Sequence, residues 1–213
     1  MAAAREVAIE LHRGNLVAAR RAVGYHLVSR PTAELDAGRV ASAAVESVAE
    51  NLTDSLVAPA LFYLAGGLVG AAIYRVVNTA DAMFGYRTGP LEYFGKSAAR
   101  LDDLLNLIPA RLAGLSLVVG ATLVGERGRG ALACLSRDRG HTASPNAGWT
   151  MSAMAGALGV QLEKPGTYRL GAGDLPVAGD IERSLRVLRA AVVVSLVALV
   201  AAYLGGRLLG LSL

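Results

Sequence analysis

The sequence predicts an all-α integral membrane protein, and three observations lead to that fold class. Of the 213 residues, 54% are hydrophobic and only 18% are charged, which is more apolar than an ordinary soluble domain. Aromatic residues make up only 5%, so most of the apolar mass is aliphatic or small and lets membrane helices approach closely. No segment shows the roughly ten-residue alternation of a membrane barrel. We therefore expect helices, with re-entrant or short apolar segments and one C-terminal transmembrane helix.

The charge pattern narrows the choice of partners. The formal net charge is +4, but the arginines are interleaved with acidic residues rather than clustered. We therefore expect no nucleic-acid partner and assign the arginines to anionic headgroups or phosphates. A single cysteine, Cys134, excludes a disulfide framework and a cysteine metal site, and we interpret it as inert.

The first third of the chain predicts amphipathic helices. Residues 1–30 place apolar residues at helical spacing opposite arginines, and Gly14 interrupts the pattern. This predicts a helix pair at the membrane interface or against a partner. After Pro31, Thr32 can cap a further helical stretch over 33–54.

The first apolar run predicts a bend. Residues 56–74 carry no charge and are long enough to cross a bilayer, but the pair Gly66-Gly67 permits a sharp break. In a straight helix, Asp54 and Asn78 would lie roughly 36 Å apart on opposite sides of the membrane. We therefore predict a re-entrant bend at Gly66-Gly67, or another segment that returns the chain to the same face.

Two further apolar runs follow. Residues 112–124 would form a helix of roughly 20 Å, too short to cross a hydrocarbon core of about 30 Å comfortably. Residues 190–206 are the predicted transmembrane helix. Three arginines precede this run, so we expect residues 125–189 to face the cytoplasm. The chain is predicted to be a multi-pass protein of the cytoplasmic membrane, with its site on the cytoplasmic side.

An acidic face precedes the first apolar run. Glu46, Glu50 and Asp54 recur at intervals of four, with Asn51 on their flank. Three like charges near lipid repel one another unless a cation neutralises them, and hard oxygen ligands suit magnesium. A solvated acidic helix end is the alternative, although the flanking Ala and Val argue against it.

Two more polar groups follow in the next 60 residues. The first comprises Arg75, Asn78 and Asp81, and the second comprises Arg100, Asp102, Asp103, Asn106 and Arg111. Paired acids with Asn are candidate metal ligands, and the bracketing arginines suit bidentate phosphate contact. Structural ion pairs at a membrane surface would have the same composition, so each group alone leaves both interpretations open.

The loop over 136–148 carries the fourth polar group. Its composition is typical of a phosphate-binding loop, and the candidates are Arg137, Arg139, His141 and Asn146. His141 is a candidate for a direct catalytic role, although a lone histidine is more often structural. The sequence has no zinc-hydrolase motif and no nucleophile elbow. Oxygen-ligated magnesium with arginines is instead typical of phosphoryl-linked chemistry.

Four stretches, in chain order, resemble a known family. They are ESVAENLTD at 46–54, YRVVNTADAMFGY at 74–86, FGKSAARLDDLLN at 94–106 with PAR at 109–111, and SPNAG at 144–148 with AMAGALGV at 153–160. The family that they resemble is adenosylcobinamide-phosphate synthase of cobalamin biosynthesis, the CobD/CbiB family. Its members are membrane enzymes that join aminopropanol phosphate, or threonine phosphate, to a propionate carboxylate of adenosylcobyric acid, using ATP and magnesium.

The resemblance implies an ATP-dependent amide ligase and roles for individual residues. It implies a catalytic set of Glu50, Asp54, Arg75, Asp103 and His141. It implies that the ATP cofactor is bound by Asn51, Asn78, Arg100, Asn106, Arg137, Arg139 and Asn146. It implies that magnesium (Mg2+) is held by Glu46, Glu50, Asp54, Asp102 and Asp103.

The resemblance also sets expectations for domains and partners. Residues 1–213 are expected to form one membrane-embedded domain that lacks the family's N-terminal transmembrane portion. The expected partners are adenosylcobyric acid, the amine phosphate, membrane lipid, and either further copies of the chain or a separate N-terminal subunit. A non-catalytic AmpE-like membrane sensor or accessory protein is the alternative function. A phosphoalcohol transferase would need a differently spaced Asp cluster.

Overall fold

The described part of the chain, residues 1–28, 31–85 and 92–208 of a computed structural model, is almost entirely helical. The helices are α1 (Ala2–His12), α2 (Leu16–His26), α3 (Ala37–Leu52), α4 (Ala58–Phe84), α5 (Glu92–Leu105), α6 (Leu107–Leu123), α7 (Gly128–Asp138), α8 (Ala147–Leu158) and α9 (Ala178–Leu208). A π-helical turn, Thr53–Val57, joins α3 to α4. The predicted all-α fold class is confirmed. Tyr86, part of one family-like stretch, lies outside the described residues.

The start of α3 differs from the sequence-based prediction. The helix begins at Ala37, not at residue 33, because Asp36 is its N-terminal cap: the Asp36 carboxylate accepts a hydrogen bond of 2.8 Å from the backbone N–H of Arg39. The predicted cap, Thr32, donates its hydroxyl to the backbone carbonyl of Arg20 instead, at 2.9 Å. Thr32 therefore ties the loop before α3 to α2.

The centre of the molecule is α3, which is buried along most of its length. Its small residues let α8, α9 and the hairpin described below pack closely around it. Close approach also governs the contact of α6 with α9. A Cβ atom on Gly120 would lie 2.7 Å from the backbone nitrogen of Ala191, so only glycine permits this crossing.

The predicted bend at Gly66-Gly67 is confirmed. Both residues have non-helical backbone angles, and Gly67 has φ 60° and ψ −152°, a region that is essentially restricted to glycine. The rings of Phe62 and Tyr74 stack with their centroids 5.2 Å apart. In a straight helix these two residues would be separated by roughly 18 Å. The first apolar run therefore folds back on itself as a re-entrant pair of helical arms.

Among the described residues, two helical stretches are long and apolar enough to cross a membrane, and they are Ala37–Phe84 and Ala178–Leu208. A third is present if Gly95–Leu105 and Leu107–Leu123, which meet at 54°, form one bent span. The first stretch contains the bend at Gly66-Gly67. The last contains the predicted transmembrane helix, which α9 extends by three turns at its start.

A two-stranded antiparallel hairpin, β1 (Gln161–Lys164) and β2 (Tyr168–Gly171), was not predicted from the sequence. Leu162 pairs with Leu170, and both are buried against the helices. The signal for this hairpin is the Pro165-Gly166 pair, where Gly166 adopts φ 71°. Strands of four residues give too short an alternation to be recognised within a long polar segment.

Candidate functional site

A cavity of about 440 Å³ lies among α3, the π-helical turn, α4, α5 and the hairpin. Its most conspicuous lining groups are five carboxylates, those of Glu50, Asp54, Asp81, Asp102 and Asp103. Lys164 is the one basic residue in the lining, within the part of the chain that the structure describes. We call this the carboxylate cavity. Acids from three separated stretches of sequence thus share one space.

The π-helical turn places Asp54 at the cavity. The wider turn interrupts the α-helical periodicity directly after α3, and such turns are frequent at functional sites. The re-entrant arm returns Arg75 to the same place, with its Nη1 3.4 Å from the backbone carbonyl oxygen of Asp54. The carboxyl group of Asp54 also lies close enough to those of Asp81 and Asp102 for electrostatic repulsion among them. A cation or a cationic substrate group would relieve that repulsion.

Two asparagines orient Asp102. Asn78 donates through Nδ2 to Oδ1 of Asp102 at 3.2 Å, and Asn106 donates through Nδ2 to Oδ2 at 3.0 Å. Asn106 is itself fixed by the buried hydroxyl of Tyr74, which donates to its Oδ1 at 3.0 Å. A hydrogen-bond network therefore joins the second arm of α4 to α5. This network sets the orientation of the Asp102 carboxylate.

The loop before α8 forms another part of the cavity wall and is attached to α5 through Asp103. Ser144 donates its hydroxyl to Oδ1 of Asp103 at 2.7 Å, and Asn146 donates through Nδ2 to the backbone carbonyl of Asp103 at 2.7 Å. Arg111 donates to Oδ1 of Asn146 at 2.8 Å and lies over the ring of Trp149. These contacts hold the SPNAG stretch against the end of α5.

Glu46 does not line the carboxylate cavity, which departs from the predicted three-acid face. Residues four apart on an α-helix diverge by about 40°, so Glu46 and Asp54 diverge by about 80° even before the π-helical turn. The buried carboxylate of Glu46 instead accepts hydrogen bonds from Ser42 at 2.7 Å and from the hydroxyl of Tyr168 at 2.9 Å. Glu46 thus anchors the hairpin to α3, and the hairpin carries Lys164 to the cavity.

Comparison with known proteins now identifies the family. The family model described as CobD/Cbib protein matches residues 1–200. The chain belongs to this family. The resemblance carried by the four sequence stretches is thereby confirmed, and the CobD/Cbib family links the chain to cobalamin biosynthesis.

Curated proteins similar to this CobD/Cbib chain have related names. It is 47% identical to the probable cobalamin biosynthesis protein CobD of Methanococcus vannielii over 164 residues, 77% of this chain and 53% of that protein. It is 52% identical to the cobalamin biosynthesis protein CobD of Dehalococcoides mccartyi over 145 residues, 68% of this chain and 47% of that protein. The chain spans about half the length of the curated relatives it matches. No solved structure matches it.

Part of the predicted phosphate-binding loop lies outside the cavity of this CobD/Cbib chain. Arg137 donates two hydrogen bonds to its neighbour Asp138, at 2.6 and 2.7 Å, and the exposed His141 lies 3.9 Å from the same carboxylate. Arg139 lies over the ring of Trp149, 5.0 Å from its centroid. The roles predicted for Arg137, Arg139 and His141 stay predictions, and the cavity does not include these residues.

Asp138 has a structural role. Hydrogen bonds from Arg137, together with one from the backbone N–H of Gly171, lower the pKa of Asp138 to about 2. Cys134 donates its thiol to Asp138 at 3.3 Å, and burial raises the pKa of that thiol to about 12. A thiol that stays protonated at neutral pH is a poor nucleophile, which agrees with the interpretation of Cys134 as inert.

Four other predicted residues do not line the cavity, and they are Asn51, Arg75, Asn78 and Arg100. Asn51 is exposed, donates to the backbone carbonyl of Ser47 and accepts a hydrogen bond from the hydroxyl of Ser55. Arg75 and Arg100 have exposed side chains, and Arg75 lies 3.4 Å from Oδ1 of Asn78. Five polar or charged residues of the lining had no role predicted from the sequence, and they are Thr53, Asp81, Ser144, Thr150 and Lys164. Of these, Asp81 alone carried a clear signal, its spacing of three from Asn78.

The lining residues fit one mode of magnesium binding, in which substrate phosphates and water supply most of the ligands. Among the residues that the structure describes, no three His, Cys, Asp or Glu side chains are grouped to hold a metal ion. Magnesium, however, is commonly held by one or two carboxylates together with substrate phosphates and water. The oxygens of Asp54, Asp81 and Asp102 suit that mode of binding. The hydroxyl of Thr53 is buried in the same lining without a hydrogen-bond partner among the described residues.

Proposed function

We propose that this chain carries the active site of an ATP- and magnesium-dependent amide ligase of cobalamin biosynthesis. The reaction joins aminopropanol phosphate, or threonine phosphate, to adenosylcobyric acid, and with aminopropanol phosphate the product is adenosylcobinamide phosphate. Five carboxylates gathered in one cavity of a CobD/Cbib chain are the observation that carries this proposal. A volume of about 440 Å³ suits a nucleotide or an amine phosphate, with the propionate arm of the corrinoid reaching in from outside.

The chemistry requires activation of a carboxylate. The propionate oxygen attacks the γ-phosphorus of ATP, which forms an acyl phosphate and releases ADP. The amine then attacks the acyl carbon, the bond from that carbon to the phosphate oxygen breaks, and inorganic phosphate leaves. The nitrogen loses its extra protons, and in this proposal a cavity carboxylate accepts one of them. When bound, magnesium would neutralise charge on the phosphates of ATP.

The lining residues have matching tasks in this proposal. The carboxylates attract the ammonium group of the amine phosphate and hold it near the propionate. Lys164, on the hairpin, offers a positive charge to a phosphate group of a substrate in the cavity. Asp102 is held by two amide donors, so its oxygens are oriented before a ligand arrives. Such preorganised groups are the ones that contribute most to catalysis.

The direct test uses the purified full chain. It is incubated with adenosylcobyric acid, ATP, magnesium and each candidate amine phosphate, and the amide is sought by mass spectrometry. We expect one amide, one ADP and one inorganic phosphate for each turnover, with one amine phosphate preferred. If neither amide nor ADP forms with any amine, the ligase proposal is wrong and the accessory-protein alternative takes its place.

A further inference from the structure

A second cavity, of about 270 Å³, lies between α1 and the first turns of α9. It is lined by Arg5, Ile9, Glu182, Leu185, Arg186 and Arg189. Among the described residues, it shares no lining residue with the carboxylate cavity, and no step of the proposed reaction uses it. We call it the arginine cavity, because it combines three guanidinium groups with apolar walls.

The arginine cavity has an excess of positive charge. In the described part of the chain, its lining contains three arginines and one acidic residue, Glu182. Arg186 lies 3.5 Å from a carboxylate oxygen of Glu126, but Glu126 also accepts hydrogen bonds from another arginine of α9. The single negative charge of Glu126 is thus shared between two guanidinium groups. Arg5 and Arg189 are exposed, and guanidinium groups are well suited to bidentate contact with a phosphate.

An exposed apolar stripe begins directly beyond Arg189 on α9. Its members follow Arg189 at intervals of three and four, which places them on one side of the helix. They are Val193, Leu196, Val200 and Leu204, each between 42% and 60% exposed. From Arg189 to Leu204 the stripe extends about 22 Å. That length exceeds the roughly 15 Å of hydrocarbon in one leaflet of a bilayer.

We propose that the arginine cavity binds the headgroup of an anionic phospholipid, whose acyl chain lies along the apolar stripe. The charged turns of α9 give way to apolar residues at Arg189, which is the depth at which headgroups meet hydrocarbon. A phospholipid matches both halves of this surface at once. A soluble phosphate would contact the arginines but would leave the stripe uncovered.

Native mass spectrometry of the detergent-purified full chain tests this site without ATP or corrinoid. The protein is titrated with phosphatidylglycerol or with phosphatidylcholine that has the same acyl chains. We expect retention of one phosphatidylglycerol at concentrations where phosphatidylcholine is not retained. The double variant Arg5→Gln/Arg189→Gln should bind phosphatidylglycerol at least tenfold more weakly, because each arginine near an anionic lipid contributes roughly fivefold in affinity.

Two further variants and a competitor complete the experiment. Arg21→Gln/Arg129→Gln removes the same charge from exposed positions outside the arginine cavity and should bind as the parent does. Arg5→Lys/Arg189→Lys keeps the charge and should bind within about threefold of the parent. Equal retention of the two lipids, or unchanged binding by Arg5→Gln/Arg189→Gln, would overturn the proposal. So would complete displacement of the lipid by millimolar inorganic phosphate, which would indicate a site for a free anion.

Discussion

At the scale of single residues, Asp102 is a carboxylate of the cavity whose orientation is set by hydrogen bonds. Both of its oxygens accept hydrogen bonds from asparagine side chains. Asp102→Asn removes the charge and turns an amide N–H toward one of those donors. We expect amide formation in the proposed reaction to fall by about 100-fold or more. Steady-state rates measure this, with Asp174→Asn, an exposed acid outside the cavity, as the control. A rate within twofold of the parent would contradict the role of Asp102.

Lys164 allows a sharper kinetic test. Lys164→Gln removes the positive charge that the hairpin brings to the cavity. We expect KM for ATP or for the amine phosphate to rise about tenfold, because a contact with phosphate in both ground and transition state affects binding first. Arg169→Gln is the matched control, since Arg169 is an exposed cation on the same hairpin that does not line the cavity. If KM values for both phosphate substrates are unchanged, Lys164 binds neither.

Asp138 makes stability depend on pH. Its pKa is about 2 in the folded chain, below the value of about 3.9 for an unfolded aspartate. The ionised carboxylate therefore stabilises the fold above about pH 4, and that contribution disappears as the pH falls toward 2. We expect Asp138→Asn to be less stable by about 1–2 kcal/mol at pH 6, after allowing for screening by solvent. The difference in unfolding free energy between parent and variant should shrink steadily as the pH falls from 4 through 2, and a constant difference would contradict this.

At the scale of secondary structure elements, the re-entrant arms depend on Gly67. Its backbone conformation is strained for any residue with a Cβ atom, although no atom of the other described residues lies within 4 Å of where that Cβ would be. Gly67→Ala should therefore cost about 1–3 kcal/mol of unfolding free energy through the backbone alone. Gly205→Ala is the control, because Gly205 is helical and also has open space around it. We expect Gly205→Ala to be neutral or to raise the unfolding temperature measured in detergent.

The elements differ in how well the sequence predicts them. The two arms and their bend follow from an uncharged run interrupted by Gly66-Gly67, and α9 follows from its length and hydropathy. The hairpin is missed because its strands are too short for a period of two to be visible. The start of α3 is misplaced because both Thr32 and Asp36 are acceptable caps. Only the fold decides that Thr32 binds the backbone of α2 instead.

The lining of the cavity is predicted only in part, because some of its residues are brought there by contacts between distant parts of the sequence. Asp54, Asp102 and Asp103 are expected from their grouping in the sequence, and all three line the cavity. They meet because the bend at Gly66-Gly67 brings the end of α4 back beside the π-helical turn. Glu46 is wrongly placed with them because regular helical spacing ignores the π-helical turn and the covering hairpin. Lys164 carries no local signal at all, since its position depends on contacts between β2 and α3 that are more than 100 residues apart.

At the scale of the whole molecule, the bend at Gly66-Gly67 predicts which groups lie on the same side of the membrane. We expect Asp54→Cys and Asp81→Cys, each in a Cys134→Ser background, to react with an impermeant maleimide from the same side. That side should be the cytoplasmic one, together with Glu182→Cys at the start of α9. Arg207→Cys, beyond the apolar run, should react only from the other side. Labelling of positions 54 and 81 from opposite faces would contradict a re-entrant arrangement.

The same bend has a consequence for biogenesis. An uncharged run of this length, leaving the translocon as an ordinary crossing, would invert the sidedness of everything that follows it. In a re-entrant arrangement, with the chain reversing at Gly66-Gly67, the two arms would add no crossing, and residues on either side of them would stay in one compartment. Neither arm alone is long enough to reach the far headgroups. The arms must therefore enter the lipid as a pair, which couples insertion of this segment to the first step of its folding.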